Sequence, residues 1–126
     1  MVQLSDAQSS NELISTNLPP GLVAVFVGGT SGIGEGALKS FAKHAARPKI
    51  YFVGRSQESA NRIIAEGKLL NSEGDYTFIQ ADVSLIRIVD EVCEQVKSKE
   101  KVVNLLFLSA GQAEFSGIRM LYFSFE

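Results

Sequence analysis

An unbroken apolar run, Leu22-Val23-Ala24-Val25-Phe26-Val27, leads directly into Gly28-Gly29-Thr30-Ser31-Gly32-Ile33-Gly34, and this junction constrains the chain more than any other segment. A short run with no polar interruption fits a strand covered on both faces. Beyond the glycines, apolar residues recur at Ile33, Ala37, Leu38, Phe41, Ala42 and Ala45, the spacing of one helix face. Strand, glycine turn and helix together aim backbone N–H groups and a helix N-terminus at one point, a geometry suited to a pyrophosphate. In this register Gly28 makes the sharp turn off the strand. Gly32 lets the backbone approach a phosphate, and Gly34 lets the helix pack closely on the sheet. A second register, Gly32-Ile33-Gly34-Glu35-Gly36-Ala37, matches a G-x-G-x-x-A pattern but separates the strand from its first glycine, so the earlier register is preferred. No Gly-Lys-Ser/Thr follows, which excludes a P-loop.

The rest of the chain repeats the same alternation. Pro19-Pro20-Gly21 marks a turn before the first strand, Leu22–Val27. The first helix runs near Gly32 to Ala45. A second strand is expected at Lys49–Val53, then a helix capped by Ser56 with a stripe of Ala60, Ile63, Ile64 and Leu70. A third strand follows at Tyr76–Gln80. The next helix, capped by Ser84, carries Leu85, Ile88, Val89, Val92 and Val96, and the fourth strand spans Val102–Leu108. This βαβαβαβ order predicts an α/β fold with a parallel sheet and right-handed crossovers. The expected architecture is a three-layer sandwich of Rossmann type, incomplete at about four strands, in the order 3-2-1-4. Its topological switch point lies between strands 1 and 4, where Gly28–Gly34 and Ser109–Gly111 converge.

Three stretches are expected: a flexible N-terminal segment over 1–20, a partial dinucleotide-binding unit over 21–111, and an atypical tail over 112–126. The first 17 residues are rich in Ser, Asn and Gln. They have no basic stretch followed by an apolar core, so they do not read as a secretory signal. The tail is dense in apolar and aromatic residues, among them Phe115, Ile118, Tyr122, Phe123 and Phe125, and is too short for another helix and strand. Two arrangements are expected for it: one short strand beside strand 4, or a loosely attached end.

Composition excludes several classes. A formal net charge of −2 supplies no general attraction to nucleic acid or an anionic membrane. Lys97, Lys99 and Lys101, interrupted by Glu100, read as a solvated turn. The one cysteine, Cys93, rules out an internal disulfide and two-cysteine metal sites, and its helical setting beside Val89, Val92 and Val96 reads as a small buried hydrophobe. His44, the sole histidine, falls near a helix C-terminus, where a surface role is expected. No metal site is expected. No apolar run reaches the length of a membrane span, and a cytoplasmic protein is the default expectation.

Arg55 bears on ligand choice. An acid at the end of strand 2 would bind the ribose hydroxyls of NAD, but this chain has Gly54-Arg55-Ser56. A guanidinium pairs with a 2′-phosphate through charge-assisted hydrogen bonds, so NADP is favoured over NAD. The plainer reading makes Arg55 a solvated turn residue. Asp82 has a plain reading too, as a cap for the helix that starts near Ser84.

The G-x-x-x-G-x-G turn resembles that of the short-chain dehydrogenase/reductase family, and the resemblance covers about Leu22 to Gly111. Asp82-Val83 looks like that family's adenine-contacting acidic position. Leu108-Ser109-Ala110-Gly111 stands where the family has Asn-Asn-Ala-Gly, with Leu108 and Ser109 in place of the asparagines and Val27 in place of the threonine often found before the first glycine. The resemblance implies cofactor contacts from Gly28, Thr30, Ser31, Gly32, Ile33, Gly34, Arg55, Ser56, Asp82, Val83, Ser109, Ala110 and Gly111. It also implies a hydride exchanged between NADP(H) and a carbonyl or alcohol.

The family's tyrosine, the lysine four residues on, the serine and the asparagine all follow the fourth strand. Here the only later tyrosine is Tyr122, with Glu126 four residues on, and a carboxylate there raises a tyrosine pKa rather than lowering it. Ser116 lacks the family context, and Asn104 precedes the turn. No catalytic residue carries over. The expectation is a cofactor-binding half, truncated after strand 4 and inactive alone. The alternatives are an active enzyme completed by a partner chain, and a non-enzymatic NADP-sensing or interaction protein. Strand 4, an apolar edge, is expected to favour self-association.

Overall fold

Residues 1–110, with the short strands at 112–113 and 123–124, are described in the computed structural model of this chain. The sheet contains β1 (Val23–Val27), β2 (Lys49–Gly54), β3 (Asp75–Gln80) and β4 (Leu105–Leu108), all parallel, in the order β3-β2-β1-β4. Helices α3 (Gly32–His44), α4 (Gln57–Leu70) and α5 (Ile86–Lys99) supply the crossovers. The expected fold class and strand order are borne out.

Alternation along the strands builds the layers. Ala24, Phe26, Ile50 and Phe52 face one way and join Leu38 and Ala42 of α3 with Ala60 and Ile63 of α4. Val23, Val25, Tyr51 and Val53 face the other way and meet Val92 and Val96 of α5. Because both faces are covered, β1 and β2 read as continuous apolar runs. Phe26, Phe52 and Leu38 are almost fully buried. Each such side chain contributes about 1.5–3 kcal/mol relative to exposure.

Several local expectations shift. Helices α1 (Leu4–Glu12) and α2 (Ile14–Asn17) occupy the stretch read as a flexible lead-in, and neither buries a residue. The fourth strand begins at Leu105 rather than Val102, because Asn104 is used to close the strand's entry. Its side-chain oxygen accepts from the Val23 N–H at 2.9 Å, while its own N–H donates to the Val23 carbonyl. Ser56 caps α4 as expected, accepting from the Ser59 N–H. Ser84 does not cap α5. The helix starts at Ile86 after Leu85, and the Ser84 N–H instead donates to the Asp82 carboxylate.

Cys93 is exposed rather than buried. The face of α5 that packs on the sheet is set by Val92 and Val96, and Cys93 lies one residue round the helix, on the side toward β4. At the C-terminal end, β5 (Gln112–Ala113) and β6 (Phe123–Ser124) pair antiparallel in a sheet of their own, so they do not extend the main sheet beside β4. Gly111, Ser116 and Tyr122 lie outside the described residues. No helix among the described residues is long and apolar enough to cross a membrane.

Candidate functional site: the glycine turn and the strand ends

All four main strands are parallel, so their carboxyl ends share one edge of the sheet, and the turn after β1 lies in the middle of that edge. Gly28 leaves β1 with φ +90°, a conformation that favours glycine. Its N–H donates to the Val53 carbonyl at 3.0 Å, tying the turn to β2. On the other side, a Cβ added at Gly28 would stand 2.7 Å from the Ala110 nitrogen. The Ser109 and Ala110 N–H groups both donate to the Val27 carbonyl, which brings the end of β4 against the turn.

Gly34 is buried, and a Cβ there would collide with the Gly28 carbonyl oxygen and the Ser109 hydroxyl. Close seating of α3 on the turn therefore needs a hydrogen at position 34. Gly32 differs. Its φ is +57°, and nothing lies within 4 Å of the position a Cβ would occupy. The first turn of α3 is thus bare on that side. Ser31, at the N-cap, makes no side-chain cap hydrogen bond, and the first helical N–H groups have no carbonyl one turn back. Such a helix end favours an anion. Ile33 projects to solvent in this same turn, 81% exposed.

Thr30 reaches across to β2. A Cβ added at Gly54 would meet the Thr30 side chain, with its hydroxyl oxygen 2.8 Å away. Arg55 follows immediately and is exposed, and its carbonyl accepts from the Gln80 amide at 3.1 Å. Arg55 and Asp82 line one cavity of about 440 Å³ with Gln80, Ala81, Leu85 and Ile88. The Ser84 hydrogen bonds hold the Asp82 carboxyl below its ordinary value, and the Arg55 charge adds to this. The bond from the Ser84 N–H gives Asp82 a local turn-closing role as well. Val83 packs toward the α5 side of the core. Ser56 is committed to the start of α4. The structure thus brings together Gly28, Gly34, Ser109 and Ala110 at the turn, and Arg55 and Asp82 at the neighbouring cavity.

Two arrangements had only faint sequence signals. One is the seating of Thr30 over Gly54, hinted at by a glycine closing an otherwise bulky strand. The other is a charge cluster joining α3 to α4. Glu35 pairs with Lys39 at 2.6 Å and with Arg62 at 2.7 Å, and Glu66 pairs with both Lys39 and Arg62. Arg62, then Lys39, hold the Glu35 carboxyl down at about 2. The i, i+4 spacing of Glu35 and Lys39 was visible in the sequence; the partner across from α4 was not. With two bases beside two acids, the negative charge of Glu35 is offset next to the helix end that would receive an anion.

The described tyrosines have structural duties. The Tyr51 hydroxyl donates to Glu100 at 2.8 Å, and burial followed by that carboxylate pushes its pKa up to about 12. The Tyr76 hydroxyl bonds to the Gly67 and Asn71 carbonyls. Neither stands at the carboxyl edge with a lysine. Among the described residues, no cluster of His, Cys, Asp and Glu is arranged to hold a metal ion.

A parallel sheet wound 3-2-1-4, with a glycine turn bound between its two central strand ends, defines a doubly wound α/β protein of Rossmann type. The family model described as short chain dehydrogenase matches residues 22–122, and this chain belongs to that family. It is 45% identical over 113 residues to the oxidoreductase andH of Emericella variicolor, covering 90% of this chain and 33% of that protein. It is 39% identical over 117 residues to the oxidoreductase AN1596 of Emericella nidulans, covering 93% of this chain and 34% of that one. The chain therefore spans about a third of the length of these curated relatives. Among solved structures it resembles L-sorbose reductase from Gluconobacter frateurii, complexed with NADPH and L-sorbose. That match has a TM-score of 0.69 and 28% identity, over 79% of this chain and 36% of the other.

Proposed function

We propose that residues 21–111 form the NADP(H)-binding part of a short-chain dehydrogenase/reductase, and that these 126 residues alone do not catalyse the family's reaction. One observation carries the binding reading. The start of α3 is bare at Gly32, its N-cap Ser31 makes no side-chain cap hydrogen bond, and Arg55 stands at the neighbouring strand end. The backbone turn suits the pyrophosphate, and the exposed guanidinium suits a 2′-phosphate. Asp82 lines the cavity with Arg55, which supports assigning it to the adenine, together with its neighbour Val83. Bound nicotinamide would supply the hydride for a carbonyl, or accept one from an alcohol. A cytoplasmic location belongs to the same proposal.

The exposed apolar side chains of β4 favour a second reading, in which a further chain, or a second copy, completes the sheet and contributes catalytic groups. NADPH-dependent reduction of a ketone by the isolated chain, absent on the first reading, separates the two. Calorimetric titration tests the cofactor. NADPH is expected to bind more tightly than NADH, with the order reversed in Arg55→Glu. Equal affinity of the unmutated chain for both would overturn the assignment of Arg55.

A further inference from the structure

Arg55 is the single residue between the end of β2 at Gly54 and the cap of α4 at Ser56. The peptide groups on both sides of its Cα are held by consecutive residues at the end of β3. The Gly54 carbonyl accepts from the Ala81 N–H at 2.9 Å, and the Arg55 carbonyl accepts from the Gln80 side-chain amide at 3.1 Å. A carbonyl only accepts, so the nitrogen of the Gln80 amide is the end that faces it. The first bond continues the ladder in which Gly54 stands opposite Gln80. The second is made by a side chain and holds a peptide group beyond the strand. Peptide groups are planar, so the two bonds together fix the direction in which the Arg55 Cβ leaves the chain. The guanidinium itself joins no ion pair among the described residues. Its aim is therefore set from the backbone.

We propose that Gln80 is a positioning residue for cofactor choice: by holding the Arg55 carbonyl it aims the guanidinium at the cavity that Arg55, Gln80 and Asp82 line together. This rests on the assignment of Arg55 to NADP(H) above. Without the amide, the Arg55–Ser56 peptide loses its hold on β3, while the Gly54 carbonyl keeps its bond to Ala81. The Arg55 stem then starts from a wider range of directions, and a 2′-phosphate must order it on binding. NADH carries a hydroxyl in place of that phosphate and does not draw on the guanidinium in the same way. Gln80 thus supports one cofactor and is indifferent to the other.

The test is calorimetric titration of the parent, Gln80→Met, Arg55→Ala and the double variant with NADPH and with NADH. Methionine keeps the length of the side chain and removes the donor. Gln80 and Arg55 are both exposed, so thermal unfolding should stay close to that of the parent. Gln80→Met should weaken NADPH binding by about three- to fivefold, the lower part of a hydrogen bond's worth because the bond is exposed. NADH affinity should be unchanged. Gln80 acts only through Arg55, so adding Gln80→Met to Arg55→Ala should weaken NADPH no further. Parent-like NADPH affinity in Gln80→Met, an equal loss for both cofactors, or a full additional loss in the double variant would each overturn the role of Gln80 and leave that of Arg55 standing. A parent that binds the two cofactors alike, with no effect of Arg55→Ala, removes the assignment of Arg55 and this role with it. A parent that binds neither overturns the dinucleotide reading as a whole.

Discussion

Strands β2 and β4 flank β1 on its two sides, pair with it in the same parallel sense, and carry comparable apolar sequences. Ile50-Tyr51-Phe52-Val53 is buried throughout, with Phe52 at 0% exposure. Leu105-Leu106-Phe107-Leu108 is not: Leu106 is 59% and Leu108 is 70% exposed, and only Phe107 is tucked in, 5.8 Å from the Phe26 ring. The difference comes from neighbours. β2 has strands on both sides and helices on both faces, whereas among the described residues β4 has β1 alone beside it in the sheet. Leu106 and Leu108 line an apolar cavity of about 630 Å³, together with Val89 and Cys93 of α5. Apolar character says what gains by leaving water; it does not say whether a partner is present to receive it.

Truncating the two strands tests this contrast most severely. Phe52→Ala should cost about 3–5 kcal/mol in chemical denaturation, because it removes a fully buried ring and leaves a cavity. Leu106→Ala should change stability by no more than about 0.5 kcal/mol, as an exposed substitution does. A Leu106→Ala cost approaching that of Phe52→Ala would mean that β4 is covered in solution. Sedimentation of the parent against Leu106→Lys would then show whether a second copy provides the cover.

The glycines allow the same comparison on a smaller scale, between the turn and the helix it feeds. Gly28→Ala forces a side chain into φ +90° and against the Ala110 nitrogen, so a loss of at least about 1–2 kcal/mol is expected. Gly36, inside α3, has open space where its Cβ would be. Gly36→Ala should therefore stabilise the chain by roughly 0.5–1 kcal/mol. Equal effects at the two positions would show that the turn is looser than its hydrogen bonds indicate.

The smallest expected effect concerns the charge cluster that pins α3 to α4. The Glu35 carboxyl ionises more readily folded than unfolded, with a folded value of about 2 against an ordinary 4.5. Its contribution is therefore present above pH 4.5 and lost as pH falls toward 2. The difference in urea midpoint between the parent and Glu35→Gln should narrow across that window. A constant difference from pH 6 to pH 3 would mean that the Arg62 and Lys39 contacts do not persist in solution.

Much of this architecture was legible in the chain itself. Strand positions and helix stripes followed from apolar periodicity and glycine placement, because both are local consequences of side-chain geometry, whereas the 3-2-1-4 order was expected from the way doubly wound folds are arranged. Ser56 was legible as a cap for the same reason. Ser84 was misplaced because the chain turns at Asp82, whose carboxylate accepts from the Ser84 N–H, and α5 starts only at Ile86, after Leu85. Asn104 looked like part of a strand, yet it closes the strand's entry by bonding to a residue 81 positions away, which no local pattern announces. Cys93 looked buried because its neighbours on the helix are apolar; which of them is covered depends on what packs beside α5.

The sequence by itself determined the strand–glycine–helix junction, the layers that alternate on β1 and β2, and the presence of a basic rather than an acidic residue at the end of β2. These depend on residue type and spacing within a few positions. Only the tertiary structure decided that Gly28 and Gly34 are required by contact with Ala110 and Ser109 while Gly32 faces open space, that Thr30 sits over Gly54, and that the apolar side chains of β4 lie largely exposed. Each of these turns on distances between segments far apart in the chain, and such distances are set only when the whole sheet closes around β1.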